Sequence, residues 1–204
     1  MAIDESRIVD AVCEMNPHGN EEGIIDAFGV YLTNHYAEYY NKISYRFERE
    51  VAELDPFLLE FSRTLLINSG HVCGFNTFSG IKKSDAWKAL IAPMCENKED
   101  EIRGLTAVLN ALGWGVWEVV SVTPDKFVVK SKNTYESEGF LKEFKKRSEP
   151  GCFLALGVAI SFMNIVYGPE TINDDIKQNM YYGEESMCRS TGDHYCEFVI
   201  RKRE

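Results

Sequence analysis

Near the C-terminal end of the 204-residue chain, Glu185 and Cys188 stand before a turn signal, Gly192-Asp193, and Cys196 stands just after it. Apolar residues follow in alternation at Phe198 and Ile200, so the stretch predicts a β-hairpin whose two arms each carry a thiol near the turn. Glu185 reaches the same spot if the first arm bends. Zinc takes thiolate sulfur, imidazole nitrogen or carboxylate oxygen in a tetrahedron, and three such donors on one hairpin suggest that ion, with a fourth ligand from elsewhere. His194, in the turn, is a substitute ligand, although a turn position favours solvent. The plainer reading of Cys152, Cys188 and Cys196 is three small buried hydrophobes or a redox pair. Cys13, Cys73 and Cys95 show no partner pattern and read as core or incidental.

No catalytic set stands beside these donors. The chain has no Ser/His/Asp arrangement in plausible order and no HExxH, and the glycines at 70–80 lack the Lys-Ser/Thr of a phosphate loop. A second group is aromatic: Phe75, Phe78, Trp87, Trp114, Trp117, Phe127, Phe153 and Phe162. These residues, with Leu156, read either as core or as the wall of an apolar pocket between helices and sheet, with His71 as a polar group inside it.

The elements that must position these groups follow from the period of the apolar residues. Residues 1–20 read as a short helix and a turn. Asn20 then caps a helix expected from about Ile24 to Val51, rich in tyrosine (31, 36, 39, 40, 45) and suited to packing or to a dimer face. Asp55-Pro56 starts a helix expected to stop before Gly70. Further helices open at Ser84-Asp85 and at Lys98, the latter ending at Gly113. The period then changes to two: Trp114–Val122 and Phe127–Ser131 read as paired strands around Thr123-Pro-Asp-Lys126. A polar helix follows from Asn133, Cys152–Tyr167 reads as a buried helix whose Gly157 implies close approach, and 168–178 reads as a polar loop.

Composition bounds the rest. Apolar residues make up 45% and charged residues 26%, as in ordinary soluble proteins. A net charge of −10 opposes direct nucleic-acid binding. No signal peptide or membrane-length apolar run is visible, so a cytoplasmic location with reduced thiols is expected, where clustered cysteines favour metal over disulfide.

Residues 133–200 resemble the 4-vinyl reductase (hydrocarbon-binding) domain family. The resemblance rests on Asn133-Thr134, Pro150-Gly-Cys152, Gly157, Glu185-Ser-Met-Cys188, Gly192-Asp193 and Cys196-Glu-Phe198 in that order. It implies a structural zinc held by Cys152, Glu185, Cys188 and Cys196, as in related phenol- and xylene-sensing transcription activators, and the Glu-x-x-Cys spacing picks Glu185 over Glu184. Four protein ligands leave no open position, so such an ion does no catalysis. It also implies an apolar ligand pocket. Phenol specificity does not carry over, because the strand ends Lys130-Ser131 with no Trp.

The expected architecture is α+β, a helical layer on an antiparallel sheet, like the ligand-binding domains of nitric-oxide signalling and the subunits of the TRAPP Golgi-transport complex. Residues 1–53 are expected as an N-terminal helical extension and 54–204 as the domain proper. The expected function is binding of a small hydrophobic molecule as a sensor or carrier, acting through a homodimer or partner protein. The alternatives are a reductase or accessory protein for a vinyl tetrapyrrole, and a scaffold subunit.

Overall fold

The structure, a computed structural model, describes residues 3–169 and 180–204. Its centre is helix α7 (Phe153–Tyr167), apolar on nearly every side and buried along most of its length. Such a helix needs neighbours all round. On one side lies a four-stranded antiparallel sheet of order β3-β4-β6-β5 (Gly115–Val122, Lys126–Thr134, Cys196–Lys202, Tyr181–Met187). The alternation read from the sequence sends Trp117, Val119, Phe127, Val129, Phe198 and Ile200 into the core. On the other side lies α3 (Leu59–Lys83), with α5 (Lys98–Ala111) packed against both α7 and β3. This is an α+β fold, a helical layer on an antiparallel sheet. No helix of the described residues is long and apolar enough to cross a membrane.

Helix α3 corrects the expectation of a stop before Gly70. It runs straight through Gly70, Gly74 and Gly80. Glycine weakens an isolated helix by about 1 kcal/mol, but here it sets the distance to α7. A Cβ at Gly70 would stand 2.3 Å from the Leu154 carbonyl oxygen, and one at Gly157 of α7 would stand 2.1 Å from that of Ile67. The two helices therefore touch backbone to backbone, and that contact offsets the propensity lost.

A second correction concerns residues 20–36. The helix expected from Ile24 begins only with α2 (Ala37–Leu54), and a hairpin of β1 (Ile25–Ala27) and β2 (Val30–Leu32) precedes it. Phe28 and Gly29 both adopt positive φ, 57° and 67°. This is the geometry of a two-residue turn whose twist suits paired strands. Asn20 caps no helix; its side chain accepts from the N–H groups of Glu22 and Ile24. Phe28 is buried, and Val30 fills the space left open at Gly80, which docks the hairpin on α3.

The remaining elements complete the body. Helix α1 (Glu5–Glu14) buries Ile8 and Val12 and packs on α5. Helix α4 (Asp85–Leu90) is capped by Ser84, and α6 (Tyr135–Glu143) by Thr134. Helix α2 packs between α3 and α6. From residue 170 on, the loop expected at 168–178 lies outside the described residues.

Candidate functional site

The turn of the terminal hairpin explains how its thiols converge. Strand β5 alternates, so Tyr181, Gly183 and Glu185 point inward, while Glu184 points outward and pairs with Arg201 at 2.7 Å. After Cys188 the chain takes a short 3-10 turn and reaches Gly192 in the left-handed region, φ 103°. Asp193 fixes this turn, its carboxylate accepting from Cys188 N–H at 2.8 Å and from the Thr191 hydroxyl at 3.0 Å. Cys188 and Cys196 thereby face the start of α7, where Cys152 sits.

The ligand atoms of Cys152, Glu185, Cys188 and Cys196 all lie within 4.8 Å of one another, and the group could hold a metal ion. The sulfur of Cys152 is 3.8 Å from that of Cys188 and 3.9 Å from that of Cys196. A tetrahedron with metal–sulfur bonds of about 2.3 Å has edges of about 3.8 Å. One oxygen of Glu185 accepts from Cys152 N–H at 2.8 Å; the other is buried with no hydrogen-bond partner among the described residues. A buried carboxylate oxygen in that state lacks a cation or donor. His194 is exposed and outside the group.

Hydrogen bonds around the sulfurs favour negative charge on them. Arg189 N–H donates to Cys196 Sγ at 3.5 Å, and the hydroxyls of Ser190 and Thr134 lie 2.9 Å from Cys188 Sγ and 3.1 Å from Cys152 Sγ. Hydrogen bonds from the Cys152 and Cys196 thiols hold Cys188 well below the ordinary thiol range, whereas burial pushes Cys152 and Glu185 up. A divalent cation would supply the missing positive charge and let all four groups ionise. Nearby, the buried carboxylate of Glu136 accepts from the N–H groups of Leu154 and Ala155, at the positive end of α7, and burial pushes it up to about 8.

A cavity of about 380 Å³ opens elsewhere, between α3, α7, the end of α5 and the start of α6, with the β1–β2 hairpin along its rim. Phe78, Trp114, Leu112 and Val158 wall it; Tyr40, Cys73, Thr77 and Tyr135 bring polar atoms to it. Tyr135 packs edge-on to Trp114 at 5.1 Å. Burial pushes its phenol well up, and its hydroxyl has no hydrogen-bond partner among the described residues.

Of the aromatic set read from the sequence, Phe78 and Trp114 line this cavity. The others lie elsewhere. Trp87 covers Gly104 of α5, Trp117 stacks on Phe198 at 5.0 Å, and Phe127 is buried on β4. Phe162 packs edge-on to Phe78 at 4.8 Å. Leu156 packs at Gly183, and Phe153 lies under the guanidinium groups of Arg63 and Arg147. His71 is buried in the α3–α7 seam, where Asn164 Nδ2 donates to its Nε2 at 3.0 Å and Phe75 stacks on its ring. Sequence reasoning missed Tyr40, Cys73, Thr77 and Tyr135. Cys73 and Thr77 stand one helical turn apart, a signal that was readable only once α3 was known to continue past Gly70.

A larger cleft, about 560 Å³, runs between α2, α3 and α6. Within it, Arg63 and Arg147 converge on the buried Glu48 at 3.2 and 3.0 Å. Arg147 N–H also donates to Ser190 carbonyl oxygen at 2.8 Å, which ties α2 to the thiol-bearing turn.

The sequence matches no protein-family model and no curated protein. Solved structures do match. The phenol-responsive sensory domain of the transcription activator PoxR, solved with phenol, is similar at a TM-score of 0.70 and 12% identity over 99% of this chain and 92% of that one. Subunit 3 of a trafficking protein particle complex from Naegleria fowleri, covalently bound to palmitic acid, is similar at a TM-score of 0.54 and 13% identity, over 82% of this chain and 95% of that one. These likenesses establish a shared fold.

Proposed function

We propose that the chain is a ligand-binding module that takes a small apolar molecule into the cavity beside the β1–β2 hairpin, with a structural zinc at Cys152, Glu185, Cys188 and Cys196. The observation that carries the reading is the cavity, which falls in the size range of small-molecule sites, about 300–1,000 Å³, and joins an apolar wall at Phe78, Leu112, Trp114 and Val158 to polar groups at Asn34, Tyr40, Thr77 and Tyr135. Tyr135 offers the hydroxyl that would orient a ligand bearing one polar atom. The fold shared with a phenol-binding sensory domain is consistent with this use. Three thiolates and a carboxylate suit zinc better than hard cations, and they leave no coordination position for water. The ion would clip the start of α7 to the terminal hairpin and hold one cavity wall in place, and output would pass to a partner protein or a second copy.

Native mass spectrometry of the purified chain, with metal analysis, tests both halves. The expected result is one zinc per chain and a rise in melting temperature on adding small phenols or hydrocarbons. A chain that is fully stable without metal removes the zinc. A panel of apolar ligands that never shifts the melting temperature removes the binding module.

A second reading rests on Cys73, whose thiol borders the same cavity. Acyl transfer from an activated thioester donor would form a Cys73 thioester and release the donor thiol, with the acyl chain lying in the cavity. The neighbour carrying covalent palmitic acid makes this worth testing. A hydroxylamine-labile mass increment, absent in Cys73→Ser, is the expected signature; its absence after incubation with a long-chain acyl thioester rejects this reading.

A further inference from the structure

Helix α2 turns its apolar stripe (Ile43, Phe47, Val51, Leu54) outward and its polar residues toward α3 and α6, where they border the cleft of about 560 Å³. Lys42, Arg46, Arg49, Arg63 and Arg147 line this cleft against two acids, Glu48 and Glu143, on a chain whose net charge is −10. Two of the cations are fully met. Arg46 is held by Glu50 at 2.6 Å, and Arg63 by Glu48, Glu60 and Glu149. The other three keep donors open. Arg147 gives Nη2 to Glu48 and Nε to the Glu149 carbonyl oxygen, and its Nη1 has no hydrogen-bond partner among the described residues. Arg49 meets Glu53 only at 3.8 Å, with both side chains exposed, and such a contact contributes little. Lys42 makes no ion pair among the described residues; Glu38, which feels its charge, is taken by Lys142. Glu143, exposed, is the acid of the lining that remains to oppose them.

We propose that this cleft binds a small monocarboxylate with an apolar body. The open donors offer the carboxylate charge-assisted hydrogen bonds, which are shorter and stronger than those between neutral groups. The body meets an aromatic wall: the Phe140 ring lies 4.9 Å from both Tyr45 and Phe144, and Leu59 continues the surface. The Arg147 guanidinium stands over Phe140 at 5.2 Å and over Tyr45 at 5.9 Å, which sets the charged head at the edge of that wall. A bare anion would leave these rings in water, and a neutral molecule would leave the cations unmatched. The cavity beside the β1–β2 hairpin differs in that no Lys, Arg, Asp or Glu lines it. The two openings therefore sort ligands by charge, and this site stands apart from the module proposed above.

Isothermal titration of the full chain with octanoate and with phenylacetate gives the test, with inorganic phosphate and octanol as controls. Both carboxylates are expected to bind, more weakly as salt rises, and phosphate to give no heat. Lys42→Gln with Arg49→Gln, at two exposed positions, is expected to melt as the wild type does and to lower carboxylate affinity on the order of tenfold. Phe144→Ser is expected to weaken octanoate as well, through the wall instead of the charge. Thr77→Leu, which narrows the other cavity, is expected to leave octanoate unchanged, and any octanol heat is expected to fall in Thr77→Leu and not in the Lys42/Arg49 pair. A wild type that gives no heat with either carboxylate overturns the proposal. So does phosphate that binds as octanoate does, a Lys42/Arg49 pair with wild-type affinity, or octanoate binding that is lost in Thr77→Leu and kept in that pair.

Discussion

The thiol cluster and the cavity are both built on α7, by opposite means. The cluster draws its donors from one hairpin and one helix start, holds its sulfurs at 3.8 and 3.9 Å, and gives each of the three sulfurs a hydrogen-bonding neighbour. The cavity draws its walls from helices far apart in sequence and a short hairpin docked at Gly80, and it leaves the Tyr135 hydroxyl without a partner among the described residues. The difference separates a part whose geometry is fixed from a part whose contents can change. Between them runs the α3–α7 seam, where glycines bring two backbones together.

The largest effect should come from breaking the fixed part. Cys188→Ser removes one donor and leaves the others buried and unbalanced. It is expected to lose bound metal and to destabilise the chain by on the order of 5 kcal/mol in urea denaturation. Retention of full metal and the wild-type midpoint would erase the distinction drawn above.

The seam comes next. Gly70→Ala puts a methyl 2.3 Å from a backbone oxygen, which cannot move aside as a side chain can. The expected cost is about 3 kcal/mol, near the upper end for overpacking. A cost of a few tenths would mean that α3 and α7 do not meet as described.

His71 tests the same seam through pH. Burial lowers its pKa to about 4, against an ordinary value of 6.5. The unfolded chain therefore takes up this proton first, and the stability is present above pH 6.5 and is lost as pH falls toward 4. Between pH 7 and pH 5 the wild type should lose about 2 kcal/mol more than His71→Gln, which does not titrate. Equal losses in the two proteins would show that His71 is not held neutral by its surroundings.

The smallest effect belongs to the adaptable part. Tyr135→Phe removes a hydroxyl that has no partner among the described residues, so stability should change by less than about 0.5 kcal/mol. Affinity for a hydroxyl-bearing aromatic should fall on the order of tenfold while that for the matching hydrocarbon holds, as isothermal titration would measure. Equal affinity for both ligands would assign the hydroxyl no part in orientation.

Much of the frame was legible in the residues. The strand periods at 114–131, the buried helix after Cys152 and the hairpin around Gly192-Asp193 all rest on local pattern, which local physics enforces. Failures came where a long-range contact overrode a local rule. Gly70, Gly74 and Gly80 read as a break because glycine weakens an isolated helix; α7, which closes on Gly70 and Gly74, lies more than eighty residues away, and Val30, which closes on Gly80, lies fifty residues before it. Residues 24–35 read as helix because Ile24, Phe28, Tyr31 and Leu32 share its spacing, yet Phe28-Gly29 folds the segment into a hairpin whose tip docks on α3.

By itself the sequence determined which donors sit on one hairpin, whereas the inward alternation that Glu185 shares with Tyr181, and Glu184 does not, emerged with the strand. It also determined that an apolar helix stands at the centre. Only the tertiary structure decided that Cys152 comes within 4 Å of two other thiols, that Phe78 and Trp114 border an opening while Trp87 and Trp117 do not, and that α2 turns its apolar stripe outward. The physical reason is range. Periodicity reports which side of an element is apolar, but the neighbour that side meets is chosen by packing across the whole chain.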